Sequence, residues 1–312
     1  MRVVVAGGAG FIGASLCRRL LAGGHRVVCV DNLVTGARAN VEELEGSAFT
    51  LVEADVCRSL QVAGPIDAVI NLASPASPAD FEPLALEILD VGSRGTGALL
   101  DLAADRGARF LQASTSEVYG DPQVHPQPET YFGHVNPVGP RSMYDEAKRF
   151  GEALVTAHHR RRGTDVRMVR IFNTYGPRMR ADDGRLVSNF VTQALAGEPL
   201  TVHGDGHQTR SLCYVEDLVT GLLAVLESDY RGPVNLGSED ERTVLEVAQL
   251  VVAIAASPSP ITFVPAAAGD PSRRRPDTTL VRRLTGWRPS TSLEEGLERT
   301  VEWFAGAGAT RR

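Results

Sequence analysis

The sequence predicts an α/β protein on a doubly wound parallel sheet with a smaller C-terminal lobe, and three observations point there. Short β-rich runs alternate with helical patterns through the first half, the runs are apolar almost throughout, and a glycine-rich loop joins the first run to the first helix. The runs are RVVVA at Arg2–Ala6, RVVCV at 26–30, DAVINL at 67–72, RFLQA at 109–113 and VRMVRIF at 166–172. Strands apolar on both faces belong inside a sheet covered by helices on each side. Between them, 13–22 and 83–106 have helical spacing.

After Tyr175-Gly176-Pro177 the texture changes to short segments divided by Gly184, Gly197, Gly204 and Gly206. Helices are expected at 215–226 and 244–256, a loop at 266–276, an amphipathic helix at 293–304 and a frayed tail at 305–312. The division this suggests is a first domain over 1–174, to which 210–236 returns, with 175–209 and 237–312 forming the smaller lobe that binds substrate.

Composition narrows the class. In 312 residues, 43% hydrophobic and 22% charged, a net charge of −6 leaves no basic field for nucleic acid. No apolar run approaches the roughly 20 residues that span a bilayer, and the apolar N-terminal run breaks at glycines, so it reads as a strand and not a leader. Cys17, Cys29, Cys57 and Cys213 are scattered with no CxxC pair, which argues against a disulfide framework or a zinc site and suits a reducing cytoplasm. The chain holds 31 arginines and a single lysine, Lys148. Where the lone lysine survives, arginine is a poor substitute.

GGAGFIG follows the first strand and opens a helix. Gly7 permits the tight turn, Gly10 lets backbone approach a pyrophosphate, and Gly13 lets the helix pack on the strand. This is a Rossmann-type loop, and its context supports the motif. Asp31 ends the second strand, where a carboxylate accepts from adenosine ribose hydroxyls and repels a 2′-phosphate, so NAD is favoured over NADP; Arg38 nearby argues the other way. Asp55-Val56 is placed to cap the adenine.

Tyr144 and Lys148 lie four apart in YDEAK and share a helix face. An ammonium beside a phenol eases its ionisation, which would make Tyr144 a base near neutral pH. With six tyrosines in 312 residues, a lone lysine seldom falls there by chance. Upstream, Thr115, Ser116 and Glu117 follow a strand, at the C-terminal sheet edge where such folds place their chemistry.

At these residues a family resemblance emerges. GGAGFIG, DNLVTG, NLASPASP, STSEVYGDP, NPVGPRSMYDEAKR, RIFNTYGPRM, TRSLCYVEDLV and the RRRPD loop together resemble the extended short-chain dehydrogenase/reductases, and within them the UDP-glucuronate decarboxylases (UDP-xylose synthases). The resemblance runs from Met1 to about Phe304. It implies a cycle in which tightly bound NAD is recycled: C4 of UDP-glucuronate is oxidised, Tyr144 takes the O4 proton with Thr115 and Ser116 bonding O4, C6 leaves as CO2, and the ketone is reduced to UDP-xylose or partly released as the UDP-4-keto-pentose. Glu117 and Arg274, with Arg273 and Arg275 as neighbours, are implied at the sugar carboxylate.

Cofactor contacts implied beyond the glycines, Asp31, Asp55 and Val56 are Phe11, Ile12, Asn32, Leu72 and Ala73, together with Tyr144 and Lys148 at the nicotinamide end. Substrate contacts implied are Pro75, Asn173, Arg178, Val187 and Arg210, the last suited to phosphate oxygens by its fork of donors. A homodimer is implied through 83–106 and 144–157.

The chain departs from the family pattern at Phe81, where a Tyr is usual, at Phe132 for Trp, Ala147 for Gly and Ala37 for Arg. Competing readings are a UDP-glucuronate 4-epimerase, which reduces the same keto acid before CO2 leaves, and a nucleotide-hexose 4,6-dehydratase. The latter generally carries an acid where this chain has Ser116.

Overall fold

A computed structural model describes residues 1–58, 60–266 and 273–310, with side chains to 306. Its centre is a seven-stranded sheet in the order β11-β6-β5-β4-β1-β2-β3, every pairing parallel. The strands are β1 (Arg2–Ala6), β2 (Arg26–Asp31), β3 (Phe49–Glu53), β4 (Ala68–Asn71), β5 (Arg109–Thr115), β6 (Val166–Ile171) and β11 (Pro233–Leu236). Strand order reverses direction between β1 and β4, which opens a crevice at their C-terminal ends.

One face of the sheet is covered by α1 (Phe11–Ala22) and α7 (Val215–Glu227), around Leu16, Leu20, Leu218 and Leu222. On the other face lie α4 (Thr96–Asp105) and α5 (Ser142–Arg162), around Leu99, Leu100 and Val155. A second apolar core joins α6 (Leu186–Ala196), α8 (Val244–Ile254) and α10 (Leu293–Thr310). Beside it β9 (Thr209–Ser211) pairs with β12 (Glu241–Thr243) on one side and β14 (Arg273–Arg274) on the other.

Several expectations are adjusted. The run 83–106 is not one helix: α2 (Pro78–Phe81) and α3 (Ala85–Asp90) lead into a π-turn at Val91–Gly95 before α4. The reason is close packing, because a Cβ on Gly92 would sit 2.7 Å from Ala147 Cβ and one on Gly95 2.9 Å from Val56. Gly92 also makes room for Ala147 where the family has glycine. Strand β3 ends just before Asp55; its run was not quoted from sequence, and its polar Thr50 and Glu53 are exposed, as suits an edge strand. Helix α1 begins at Phe11, two residues before expected, and α10 runs on to Thr310 where fraying was expected. The fraying expected at 311–312 and the loop expected across 267–272 fall outside the described residues.

The sheet holds the cofactor loop in a fixed shape. Gly7 has φ 75°, and a Cβ there would lie 2.8 Å from the amide nitrogen of Ala73. Gly7→Ala is therefore expected to lose roughly 2–4 kcal/mol from left-handed strain and overpacking. Urea unfolding checks it, and a variant as stable as the parent would contradict this account of the turn.

Candidate active site

One cavity of about 540 Å³ runs from the glycine loop to the second core. Gly7, Gly10, Phe11, Ile12, Gly13, Asp31, Asn32, Asp55, Val56, Leu72 and Ala73 line one end. Thr115, Ser116, Glu117, Tyr144 and Lys148 line the middle, and Pro75, Asn173, Arg178, Val187, Arg210 and Arg274 line the rest. The named residues thus border the same space, although the chain brings them from ten separate stretches; Arg38, Arg273 and Arg275 are not part of its lining.

At the loop end, the residues fit a dinucleotide. Gly10 caps α1 without a side chain, no acid occupies the first turn, and a Cβ on Gly13 would come within 2.7 Å of Gly8 Cα. An anion can therefore approach the bare helix N-terminus. Asp31 Oδ2 and Oδ1 accept the backbone N–H groups of Ala9 and Leu33, both at 2.9 Å. Burial pushes its carboxyl up, and these two donors oppose the push. Arg38, the residue that argued for a 2′-phosphate, is instead paired with Glu45 and Glu53.

In the middle, Thr115 ends β5 and caps a 3₁₀ turn over Ser116–Tyr119 by accepting the Glu117 N–H. The turn points Glu117 inward, where its Oε1 accepts from Arg141 Nη2 at 2.8 Å and from Arg274 Nη1. Arg274 arrives through the pairing of β14 with β9, which sets it in register with Arg210. Burial works against ionisation of Glu117, but Arg274 and Arg141 outweigh it and hold its carboxyl below the usual range.

Tyr144 and Lys148 share a face of α5, with the ammonium 5.6 Å from the Tyr144 ring centroid and donating to the Ala113 carbonyl at 3.1 Å. The expected easing of the phenol's ionisation is corrected by its surroundings. Burial pushes Tyr144 up to about 12 and the charge of Glu117 adds to this, while a hydrogen bond with Thr115 opposes it. Burial also brings Lys148 down to about 8. Desolvation dominates both groups because each is buried.

Four residues escaped the sequence reading. Phe81 entered it only as a missing hydroxyl, yet its ring stacks on Tyr144 with centroids 4.9 Å apart and planes 20° apart. Arg185 is held by Asp183 at 2.6 and 2.7 Å, lies 5.8 Å from the Phe11 ring, and lowers the phenol's pKa. Arg141 lies inside a quoted motif, but in a chain with 31 arginines its charge carried no signal. Asp145 is buried beside Tyr144, and its Oδ1 has no hydrogen-bond partner.

Burial, then the charge of Glu117, raises Asp145 to about 7, against the pull of Arg141 and Arg274. Its folded value lies above its unfolded one, so the stability it contributes is full below pH 3.8 and is lost as pH rises through about 7. Asp145→Asn is expected to be more stable than the parent at about pH 8, by roughly 1–2 kcal/mol, with the gap closing towards about pH 5. Denaturation at the two pH values checks it; a gap that does not change with pH would refute the assignment.

Comparison with known proteins agrees with this geometry. Residues 3–237 match the family described as the NAD dependent epimerase/dehydratase family. UDP-glucuronic acid decarboxylase 1 of Danio rerio is 50% identical over 97% of this chain and 72% of its own length, and that of Xenopus tropicalis is 48% identical over 97% and 72%. Among solved structures, UDP-glucuronic acid 4-epimerase from Bacillus cereus, in complex with UDP-glucuronic acid and NAD, superposes with a TM-score of 0.87 at 27% identity, covering 98% of this chain and all of its own. Fold, cavity and relatives converge: the chain belongs to the NAD dependent epimerase/dehydratase family, and within it to the UDP-glucuronic acid decarboxylases.

Proposed function

We propose that this chain uses NAD to decarboxylate UDP-glucuronate through a UDP-4-keto sugar, giving CO2 and UDP-xylose. The observation that carries the reading is the single cavity in which a dinucleotide loop, a Tyr–Lys pair and a buried Glu117–Arg274 pair face one another. The decarboxylases among its relatives support it.

When bound, NAD would supply the hydride acceptor for C4 and the hydride for its later reduction. This chain's residues do the rest. The glycine loop would hold the pyrophosphate and Asp31 the adenosine ribose, with Asn32, Asp55 and Val56 towards the adenine. Lys148 would bond the nicotinamide ribose. Tyr144 takes the O4 proton while Thr115 and Ser116 orient O4. A phenol held at about 12 is a poor base even with Arg185 pulling it down and the Lys148 ammonium 5.6 Å from its ring, so its proton transfer needs the bound O4 beside it. The resulting β-keto acid loses C6 as CO2, its bonding electrons passing into an enolate at C4–C5, and Tyr144 holds the proton shared with O4. Protonation at C5 and reduction at C4 complete the cycle.

Arg274 anchors the departing carboxylate, and the negative charge of Glu117 favours its loss as neutral CO2. Asn173, Arg178 and Arg210 hold the diphosphate, with Val187 and Pro75 packing against the substrate. Full reduction would give UDP-xylose and regenerate NAD+, which then need not leave between turnovers; early release of the UDP-4-keto-pentose would leave NADH, which NAD+ must replace before the next turnover. The UDP-glucuronate 4-epimerase reaction shares the keto acid and the fold, and the Glu117–Arg274 pair favours decarboxylation over it. Ser116, where dehydratases carry an acid, disfavours 4,6-dehydration.

We also propose a cytoplasmic homodimer that binds neither membrane nor nucleic acid. All four cysteines are free thiols, and among the described residues no helix is long and apolar enough to cross a membrane. Leu99 and Leu100 are core, but Leu86 and Leu89 of α3 and Phe150 of α5 are exposed on neighbouring helices. That apolar strip suits a partner copy.

Purified protein incubated with UDP-glucuronate is expected to yield CO2 and a nucleotide sugar lighter by that mass, read by mass spectrometry. An isomer of unchanged mass would establish epimerisation instead. Tyr144→Phe is expected to lower kcat by about 10³-fold with UDP affinity within about threefold. Full turnover by Glu117→Ala would remove the role given to Glu117. Light scattering is expected to report a dimer that Leu86→Asp with Phe150→Asp converts to monomer; a monomeric parent would refute the strip.

A further inference from the structure

Glu117 receives two guanidinium groups on one oxygen, from Arg141 and Arg274, and all three side chains are largely buried. The trio carries one positive charge in excess, which suits the arrival of another carboxylate. That carboxylate needs a cation, and Arg274 is the one argued above to anchor it. When Arg274 turns to the substrate, Glu117 keeps a partner only because of Arg141.

Arg141 reaches the other end of the site as well. Its guanidinium carbon lies 5.6 Å from the centroid of the Phe81 ring, and Phe81 stacks on Tyr144. Its backbone carbonyl accepts the N–H of Tyr144 at 3.1 Å, at the start of α5. A continuous line of contact therefore runs from Glu117 through Arg141 and Phe81 to the Tyr144 ring, without passing through Arg274. An arginine suits this place because a planar fork donates in its plane while its face lies on an aromatic ring.

We propose that Arg141 is a positioning residue for the decarboxylation: it holds Glu117 in place when the substrate carboxylate draws on Arg274, and through Phe81 it ties that end of the site to Tyr144. The inference rests on the role given to Glu117. Two anions that share one cation repel each other, and a buried carboxylate left without a partner takes up a proton. With Arg141 present, Glu117 and the sugar carboxylate each keep a guanidinium. The charged and titratable groups facing Glu117 are Arg141, Tyr144 and Asp145 from α5 and Arg274 from β14.

The test uses Arg141→Gln, Glu117→Gln and the double variant in the full-length chain, following CO2 release from UDP-glucuronate between about pH 4 and 9. Removing Arg141 removes a cation from Glu117, so protonation sets in at higher pH. Arg141→Gln is expected to lower kcat by roughly tenfold or more and to move the acid limb of the kcat profile up by about one pH unit, with UDP affinity within about threefold. The double variant is expected to be no slower than Glu117→Gln alone, as for two residues acting as one unit. Arg141→Lys is expected to recover part of kcat and return the limb towards the parent. Should Arg141→Gln not fold, Arg141→Met, which keeps the apolar stem, reads the same limb. An unmoved limb, or losses that multiply in the double variant, overturns the proposal. Full turnover by Glu117→Gln alone overturns the role of Glu117 and this proposal with it, and is read without any Arg141 variant.

Discussion

The site depends on a buried carboxylate that must be paired. Glu117 stands at the edge of the sheet among buried side chains, where an unpaired charge would cost several kcal/mol or be lost to protonation. Its two guanidinium partners come from distant stretches of the chain. Arg141 starts the helix that carries Tyr144 and Lys148, and Arg274 comes from the short strand beside the second core. The two pairings that keep Glu117 charged therefore also link that helix to that strand at the cavity.

Other contacts across the cavity work in the same direction. Ser77 hydrogen-bonds the backbone carbonyl of Asp183, and Arg180 pairs with Asp80 at 2.9 Å, so the segments on either side of the opening are tied together. Asp183 in turn orients Arg185 towards the dinucleotide end. These are polar links between elements whose apolar cores are separate, one on each face of the sheet and one around α6, α8 and α10. Apolar burial supplies cohesion within each core, and paired charge decides how the walls of the site face each other.

Burial has a chemical consequence for Tyr144. Desolvation and the charge of Glu117 oppose its ionisation more than the Thr115 hydrogen bond and Arg185 assist it, so proton transfer at O4 depends on the whole local field. The sequence spacing of Tyr144 and Lys148 reports that they share a face, which the helix confirms at 5.6 Å from nitrogen to ring centroid. Spacing carries no information about dielectric, which arises from residues such as Phe81 and Glu117 arriving from elsewhere in the chain.

The parallel sheet, the dinucleotide loop and the candidate residues were legible in sequence because they are local. A glycine turn after a strand, a carboxylate at the next strand end and a four-residue helical spacing are each written within a few tens of residues. The break of 83–106 at Val91–Gly95 was not legible, since it answers to Ala147 and Val56 across the interior. Nor was the partnership of Arg141, Arg274 and Glu117, because guanidinium groups are common in this chain and only packing selects which of them meet a given carboxylate. The sequence alone determined which chemical groups the protein owns and the local backbone that presents them. Tertiary structure decided which charges are desolvated together, because that depends on contacts between residues up to 157 positions apart.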